Sequence, residues 1–222
     1  MKILGINGSP VKGGNVDVLI RKVIEGAKSE IQDARCKIQD SGCKIQEKIV
    51  YLDDLKITPC KSCESVPDTV ICSYQDDMEK IYPKVLTYDL FVFGSPVYFD
   101  SVSAQMKLFV DRCNCIRPLR RKSEGFFEKD GEYYFDKSRI YKFNRKRKGI
   151  IILVAGKRQR FDCALSLLKG LFKWVGIEFY EKILYSHDSF EIGKVEEDKE
   201  VLEKAFPLGK RLAETFRETQ GT

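Results

Sequence analysis

The chain has 222 residues, of which 43% are hydrophobic and 32% are charged, and its formal net charge is +6. This length suits one α/β domain with a sizeable core, and the composition excludes disordered and fibrous classes. No apolar run reaches the roughly 18 residues of a transmembrane helix, and no signal-peptide pattern opens the chain. We therefore expect a cytoplasmic protein with no membrane partner. Its eight cysteines are expected to be reduced thiols, metal or cluster ligands, or redox groups rather than structural disulfides.

The start of the chain predicts a strand, a glycine-containing turn and a helix. Residues 2–7 form a short apolar run typical of a buried strand. After the turn 8–15, apolar residues recur every three or four positions through Ile31, as in an amphipathic helix. Backbone N–H groups at the positive end of such a helix favour a phosphate. The turn therefore predicts a phosphate site, the alternative being a tight turn in which Asn15 only caps the helix.

Four more buried strands are predicted, in alternation with helices. These strands are the run 48–52, the run 90–93, the run 150–154 and a segment within 177–185. Pro83 is expected to kink the second helix, and the last helix is expected to begin near Glu196. The alternation predicts a parallel sheet covered by helices on both faces, whose ligands bind outside the carboxyl ends of the strands.

The segment 116–148 interrupts the alternation and carries most of the positive charge. It holds 12 Lys and Arg against 5 Asp and Glu, so the rest of the chain is close to neutral. Within it, 126–129 and 132–135 flank Asp130-Gly131, a strong hairpin signal. We expect a solvated excursion used in oligomer contacts. Binding of the phosphates of a nicotinamide nucleotide is the sharper alternative, and nucleic-acid binding ranks last.

Two stretches resemble the NADPH-dependent FMN reductase family. They are residues 2–15 and the longer stretch 94–112, which opens Gly-Ser-Pro-Val-Tyr-Phe. The loop that carries Cys60, Cys63 and Cys72 is similar to that of the iron–sulfur flavoprotein branch of this family. The resemblance implies an α/β, flavodoxin-like, doubly wound sheet of five parallel strands in the order 2-1-3-4-5. It implies a single FMN-binding domain over residues 1–222 with the basic insertion at about 116–148.

The resemblance places FMN against three turns, which we call the phosphate turn, the ring turn and the third turn. A flat apolar ring is bound by aromatic or aliphatic faces, while backbone amides bond its polar edge. The residues implied are Ser9, Lys12, Gly14, Asn15 and Val16 for the phosphate turn, Pro96, Val97, Tyr98 and Phe99 for the ring turn, and Ala155, Gly156 and Lys157 for the third turn.

Two positions depart from the family pattern at the phosphate turn. The family usually has a basic residue in place of Val11 and a hydroxyl residue in place of Val16. Lys12 is expected to supply the missing charge, and backbone N–H groups survive both changes. In the third turn, Lys157, Arg158 and Arg160 are expected to stabilise negative charge on reduced flavin or to bind a nucleotide phosphate, the alternative being solvated cations.

The cysteines depart from the branch pattern. The iron–sulfur branch carries four closely spaced cysteines, and each thiolate binds one iron of a 4Fe–4S cluster. Here Cys60, Cys63 and Cys72 are present, but Val66 occupies the place of the third cysteine. A three-thiolate cluster, a Cys60–Cys63 redox pair and three inert thiols are all open. Zinc is not expected, because the only histidine is His187.

Topology gives expectations for the other thiols. Cys113 and Cys115, after a helix, are expected at the edge of the sheet opposite the cysteine loop. Cys163, after the fourth strand, is expected at the same edge as the loop. Strands two and four are three spacings apart in the implied order, roughly 14 Å. Cys163 is therefore expected to reach the loop more easily from another subunit.

The predicted function is an FMN-dependent oxidoreductase that passes electrons from NAD(P)H or a reduced carrier to a small acceptor such as free flavin, a quinone or oxygen. The flavin does the chemistry, so no catalytic side chain is assigned. The alternative is an iron–sulfur flavoprotein that transfers electrons to a redox partner protein. The resemblance also implies a homodimer or homotetramer.

Overall fold

The computed structural model describes residues 1–38, 45–61, 71–116, 126–129, 132–135, 146–188 and 191–219, with the backbone alone for 33–38, 126–129 and 132–135. Within these ranges the strands are β1 (Lys2–Asn7), β2 (Gln46–Tyr51), β3 (Leu90–Tyr98), β4 (Ser101–Val102), β5 (Phe126–Lys129), β6 (Glu132–Phe135), β7 (Lys148–Gly156) and β8 (Glu178–His187). The α-helices are α1 (Asn15–Ile38), α2 (Tyr82–Thr87), α3 (Ala104–Arg112), α4 (Asp162–Val175) and α5 (Lys199–Glu218).

The main sheet has the strand order β2-β1-β3-β7-β8, and these five strands are all parallel. Counted without the short strands, the order is 2-1-3-4-5, so the expected flavodoxin-like fold is confirmed. The short β4 pairs antiparallel with the end of β3. The predicted hairpin is also confirmed, because β5 pairs antiparallel with β6. No helix in the described ranges is long and apolar enough to cross a membrane.

Both faces of the sheet are covered, which explains the continuous apolar runs 90–93 and 150–154 in its central strands. On one face Phe93 makes edge-to-face contacts with Phe109 of α3 and Phe172 of α4. On the other face Leu90 and Val92 belong to the cluster formed with α1 and α5. The helices therefore form two separate cores, and the carboxyl ends of the strands are left at one edge.

Helices α1 and α5 approach each other through glycine. A Cβ built on Gly209 would lie 1.9 Å from the Val23 carbonyl oxygen, and one on Gly26 would lie 2.0 Å from the Phe206 oxygen. Both neighbours are backbone atoms, which cannot rotate away. The close packing of these helices therefore depends on the absence of side chains at two positions.

Two helix starts differ from the sequence prediction. Pro83 stands in the first turn of α2, after a 3₁₀ helix at Asp77–Lys80, and so begins a helix rather than kinking one. The last helix begins at Lys199 instead of near Glu196, because Asp198 caps it by accepting the Val201 N–H at 3.2 Å.

The end of the basic insertion is not a solvated run. Arg147 is buried, and its guanidinium donates to the Val85 oxygen at 2.6 Å, to Leu86 and to the Val175 oxygen. These carbonyls lie at the carboxyl ends of α2 and α4, where a cation is favourable. The expectation of a solvated excursion is therefore wrong at this position, since a helix-capping role cannot be recognised in a run of Lys and Arg.

A buried arginine anchors the cysteine-bearing segment. Arg112, the last residue of α3, has a fully buried side chain, and it forms an ion pair with Asp76, whose side chain is 8% exposed. Arg112 Nη1 also donates to the Thr58 oxygen at 2.7 Å, and Asp76 Oδ2 accepts the Thr58 N–H at 2.8 Å. The two ends of the segment 58–76 are thereby fixed to each other and to α3.

We predict that Gly209→Ala lowers the free energy of unfolding by about 1–3 kcal/mol or more, because its methyl group would overlap the backbone of α1. Gly170→Ala, in α4, is the matched control. A Cβ at Gly170 meets no atom within 4 Å, so helix propensity should stabilise this variant by about 0.5–1 kcal/mol. Urea unfolding of both variants measures the difference. Equal effects of the two substitutions would contradict the close helix contact.

We predict that Asp76→Ala lowers the free energy of unfolding by about 3–5 kcal/mol, because it leaves Arg112 buried without its counter-ion. Asp162→Ala, which removes the partner of Arg160 in a pair with side chains 78% and 79% exposed, should cost less than about 1 kcal/mol. Chemical denaturation at neutral pH is the measurement. A similar loss of stability in both variants would show that the buried ion pair stabilises the fold no more than the exposed pair does.

The same contacts predict a pH dependence. Burial raises the pKa of Asp76, but its hydrogen bonds from Arg112, Thr58 and Met78 more than offset this, so that the pKa is lowered overall. Because the folded-state pKa lies below the unfolded value of about 3.9, the stabilisation is complete above that value and is lost as the pH falls through the lowered folded pKa. The difference in stability between the native chain and Asp76→Ala should shrink at acidic pH.

Candidate functional site

The carboxyl ends of the parallel strands enclose a cleft of about 720 Å³, which we call the sheet-edge cleft. Its walls are the turn after β1, the last residues of β3, the end of β7 with the turn after it, and the segment after β8. The ring turn, predicted after a strand ending at Phe93, thus begins inside β3, which extends to Tyr98. Nine of the twelve residues predicted for FMN line it, namely Ser9, Gly14, Asn15, Val16, Pro96, Val97, Tyr98, Gly156 and Lys157. Three turns that are far apart in sequence are therefore brought to one place by the strand order, as expected for such sheets.

Local hydrogen bonds fix the phosphate turn before α1 begins. Ser9 Oγ accepts the Val11 N–H at 3.1 Å, and Asp17 Oδ2 accepts the Gly13 N–H at 3.0 Å. Gly13 has a φ of +70°, in the left-handed region that favours glycine. The buried Asp17 carboxylate is itself paired with Arg21 at 3.2 Å. Its negative charge beside the turn is thus partly neutralised.

Asn15 and Val16 contribute backbone groups, not side chains, to the cleft. The Asn15 side-chain oxygen accepts the Val195 N–H at 2.9 Å, so this side chain holds the segment before α5. The Val16 side chain is buried over β3, since a Cβ on Gly94 would lie 2.7 Å from Val16 Cγ1. The N–H groups of both residues stand in the first turn of α1, where no earlier turn supplies carbonyl partners. This end of the cleft is therefore suited to an anion.

Ser103 joins the phosphate turn to the ring turn. Its hydroxyl donates to the Gly8 oxygen at 2.6 Å and accepts the Met106 N–H at 3.2 Å, while its own N–H donates to Ser95 Oγ at 3.0 Å. The Gly8 N–H in turn donates to the Gly94 oxygen at 2.8 Å. Sequence reasoning did not identify this serine, although its position at the N-cap of α3 is a recognisable signal.

Three predicted residues lie outside the cleft lining. Lys12 pairs with Asp54 at 2.7 Å, and this hydrogen bond raises the pKa of Lys12. Phe99 is fully exposed. Phe99 and Asp100 both have a positive φ, of 50° and 61°. Ala155 is buried in β7. The roles of these three residues toward a flavin stay predictions.

The third turn carries charges of both signs. Lys157 and Arg158 line the cleft, but Lys157 is paired with Asp188, and this hydrogen bond lowers the pKa of Asp188. The third predicted cation, Arg160, is not among the lining residues. Its N–H donates to Asp100 Oδ1 at 2.7 Å, which connects the third turn with the ring turn.

The far wall of the cleft contains residues that sequence reasoning missed. His187 and Asp188 lie at the end of β8, and Glu191 and Ile192 follow them. The His187 ring stacks on Tyr185, with ring centroids 5.9 Å apart. The fifth parallel strand must end at the same edge of the sheet, so the position of His187 could have been predicted from the topology. The positions of Glu191 and Ile192 could not, because the segment after a strand has no required direction.

The cysteines do not lie where the topology argument expected them. Arg112, three residues before Cys115, donates to Cys72 Sγ at 3.4 Å, and Cys113 lines one cavity with Cys60. The expectation that Cys115 lies at the opposite edge is therefore wrong. Because α3 is only nine residues long, it ends beside Thr58, Cys72 and Asp76, which all contact Arg112.

Cys163 also differs from its expectation. Cys60, Cys113 and Cys163 line one cavity of about 880 Å³, which we call the cysteine hollow. Within a single chain, Cys163 therefore lies on the same hollow as the cysteine segment, so no second subunit is needed to bring it there. The distance between the second and fourth strands does not measure the separation of Cys60 and Cys163, since both thiols lie in the helix layer above the sheet. Cys63 lies outside the described residues.

Arg112 sets the electrostatics of the thiols. Burial raises the pKa of Cys72, but the Tyr74 N–H, the hydrogen bond with Cys115 and the Arg112 charge more than offset it, so the pKa is lowered overall. Arg112 Nη2 donates to Cys72 Sγ at 3.4 Å. Burial first, and then the neighbouring sulfurs, raises the pKa of Cys115 to about 12. Cys113 is fully buried, which raises its pKa as well.

A compact metal site is not present in the described part of the chain. There, no group of three or more His, Cys, Asp or Glu side chains is arranged to hold a metal ion. A single tetrahedral zinc, with Zn–S bonds of about 2.3 Å, would need such an arrangement. A cluster of four irons spaces its ligands more widely, because each thiolate binds a different iron. An iron–sulfur cluster at Cys60, Cys63 and Cys72 therefore stays a prediction.

Comparison with known proteins gives sequence relatives and solved structures of the same fold. An iron–sulfur flavoprotein of Methanocaldococcus jannaschii is 34% identical over 120 residues, covering 54% of this chain and 54% of that protein. An iron–sulfur flavoprotein of Methanosarcina thermophila is 33% identical over 131 residues, covering 59% of this chain and 60% of that protein. The matches thus span little more than half the length of these relatives. A solved flavone reductase shares the fold, with a TM-score of 0.67, 17% identity and coverage of 99% and 64% of the two chains.

The sequence model of one family matches most of the chain. The description of this family is NADPH-dependent FMN reductase, and the match extends over residues 1–183. It includes the phosphate turn, the ring turn and the third turn, and it ends within β8. The resemblance seen in the sequence, including its iron–sulfur flavoprotein branch, is therefore confirmed. The chain belongs to the NADPH-dependent FMN reductase family.

Proposed function

We propose that the chain binds FMN in the sheet-edge cleft and passes electrons from NAD(P)H or a reduced carrier through it to a small acceptor. The observation that carries this proposal is the convergence of the phosphate turn, the ring turn and the third turn on one cleft of about 720 Å³. A volume of this size lies within the range of small-molecule sites, about 300–1,000 Å³. The membership of an FMN reductase family supports the choice of ligand.

The phosphate end of FMN would lie at the start of α1. The N–H groups of Asn15 and Val16 and the helix dipole favour an anion there. Ser9, which is also in the lining, orders this turn through its hydrogen bond with Val11. No freely available cation is required for this assignment, because backbone donors carry the recognition.

The ring would lie between the ring turn and the third turn. Pro96, Val97 and Tyr98 supply apolar and aromatic surface on one side, and Val154 and Gly156 lie on the other. A Cβ at Gly156 meets no atom within 4 Å, so the space beside it is open for a ligand. Bound FMN would supply hydride acceptance and electron transfer, while these residues orient the ring and exclude water from its buried face.

Charge at the third turn would favour reduced flavin. Lys157 and Arg158 lie in the lining together with Asp188 and Glu191. Cations near the pyrimidine edge of a flavin stabilise negative charge that develops there on reduction. The ion pair with Asp188 weakens this stabilisation by Lys157. Arg158 is accordingly the stronger candidate for this role.

The fully exposed Phe99 stands at the end of the ring turn. We propose that a second planar molecule, nicotinamide or acceptor, or a second copy of the chain covers it. A homodimer or homotetramer of single-domain chains, with the insertion 116–148 at the contact, is part of this proposal. Light scattering of the purified protein measures the assembly.

A second candidate function is electron transfer to a redox partner protein by an iron–sulfur flavoprotein. The observations that favour it are the similarity to two iron–sulfur flavoproteins and the hydrogen bond that Arg112 Nη2 donates to Cys72 Sγ at 3.4 Å. The two functions differ in their acceptor. Rapid NAD(P)H oxidation with a free flavin or quinone supports the first, and turnover only with a carrier protein supports the second.

We predict that Gly156→Leu weakens FMN binding at least about tenfold, which corresponds to about 1.4 kcal/mol, because its side chain would fill the open space in the cleft. Gly170→Leu, an equal substitution at an open position in α4, should leave the affinity unchanged. Fluorescence quenching of FMN by the apoprotein measures both, and circular dichroism verifies folding. Native FMN affinity in Gly156→Leu would contradict the location, and no binding by the unmodified chain would contradict the function.

A further inference from the structure

We propose that Asp17, Tyr51 and Arg21 position the phosphate turn and thereby set how strongly the cleft prefers a phosphorylated flavin to an unphosphorylated one. Asp17 fixes the turn by a hydrogen bond, Tyr51 holds Asp17 in place, and Arg21 neutralises its charge. Over the described part of the chain, the lining of the sheet-edge cleft contains none of the three, so they are positioning residues. The inference rests on the proposed function, because it concerns the phosphate end of the same site.

The first observation is the geometry of Asp17. Its side chain is only 4% exposed, and its two oxygens face different elements. Oδ2 accepts the Gly13 N–H at 3.0 Å, and Oδ1 accepts the Tyr51 hydroxyl at 2.9 Å. Tyr51 is the last residue of β2. One buried carboxylate thus connects the phosphate turn with the neighbouring strand of the sheet.

The hydrogen bond from Gly13 determines which backbone N–H groups are left for a ligand. Gly13 has a φ of +70°, and the next residue, Gly14, donates its N–H to the Val11 oxygen at 3.3 Å. Both N–H groups are therefore used within the turn or by Asp17, and those of Asn15 and Val16 are the donors assigned to the phosphate. Glycine populates positive and negative φ about equally. Without the Asp17 oxygen, the turn would therefore lose the contact that selects this conformation.

The second observation is the neutralisation of the Asp17 charge. A carboxylate beside the phosphate turn would repel a phosphate unless a cation compensates for it. Arg21 Nε donates to Asp17 Oδ1 at 3.2 Å, and Arg21 Nη2 donates to the Tyr51 hydroxyl. Burial, followed by the hydrogen bond to Asp17, raises the pKa of Tyr51. The hydroxyl therefore stays protonated at neutral pH and can donate to the carboxylate.

The third observation is a second contact between the same turn and the end of β2. Lys12 pairs with Asp54 at 2.7 Å, and its Nζ lies 5.2 Å from the centre of the Tyr51 ring. Asp54 ends the 3₁₀ helix Leu52–Asp54, which directly follows Tyr51. Two successive residues of the phosphate turn, Lys12 and Gly13, are therefore held from this side. Because Lys12 is already paired, recognition of the phosphate depends on the position of the backbone.

The test compares FMN with riboflavin, which lacks the phosphate. Fluorescence quenching by the apoprotein gives both dissociation constants, and their ratio measures the preference for FMN. A general loss of structure weakens both ligands, whereas a displaced phosphate turn weakens FMN alone. Asp17→Ala should lower the preference about two- to tenfold, as for the loss of one hydrogen bond, with riboflavin affinity unchanged. Asp17→Asn, which keeps an oxygen for Gly13, should retain most of the preference.

A double-mutant cycle isolates the charge. Arg21→Gln should lower the preference for FMN about two- to fivefold at low ionic strength, in the range of a solvent-screened charge pair, and less in concentrated salt. In the Asp17→Asn background the same substitution should have no effect, because no buried charge then needs a counter-ion. Arg217→Gln is the matched control. It removes an arginine that pairs at 2.7 Å with Glu30, farther along α1, and should leave the preference unchanged.

Tyr51→Phe covers the case in which Asp17→Ala fails to fold, since it removes a single hydroxyl group. It should lower the preference for FMN about two- to tenfold, and circular dichroism verifies the fold of every variant. An unchanged preference in either Tyr51→Phe or Arg21→Gln would overturn the inference. Equal losses of FMN and riboflavin affinity in Asp17→Ala, or equal affinity of the unmodified chain for the two flavins, would overturn it as well. If the unmodified chain bound neither flavin, the proposed function would be wrong, so the two failures are distinguishable.

Discussion

The ion pair between Arg112 and Asp76 fixes Thr58 and Asp76, at the two ends of the cysteine segment, to the end of α3. A guanidinium at the end of α3 and a carboxylate at the end of the cysteine segment are both buried, and each makes further hydrogen bonds to Thr58. Burial of two charges is costly, and it is repaid only when the geometry and the additional hydrogen bonds are good. Here the additional hydrogen bonds to Thr58 meet this condition.

The parallel sheet imposes the second constraint. Its strands all end at one edge, and the turns there would be independent without cross-links. Ser103 connects the first two turns, and the contact between Arg160 and Asp100 connects the second with the third. The cleft is therefore shaped by a few polar contacts between turns, while the sheet determines only where each turn begins.

Much of this arrangement could be predicted from the sequence, because it depends on local patterns. The apolar runs of β1, β3 and β7 and the turn before α1 are visible as periodicity and glycine content. Nine of the predicted residues line the cleft for the same reason, since strand ends of a known order share an edge. Positions that depend on distant partners could not be predicted. Lys12 turns to Asp54, and Arg147 caps two helices. Nothing in the sequence near Arg112 indicates that Cys72 is its neighbour.

The hydrogen bond between Asn15 and Val195 joins the first helix to the segment before the last one, across 180 residues of sequence. Gly193, with its φ of +74°, lies beside the Gly13 oxygen in the same contact region. A ligand that orders the turn at Gly13 thereby also stabilises the chain near Gly193, and thermodynamic linkage requires the reverse effect to be equal. The affinity of the cleft for such a ligand would therefore include the free energy of ordering residues 193–195, near the other end of the polypeptide.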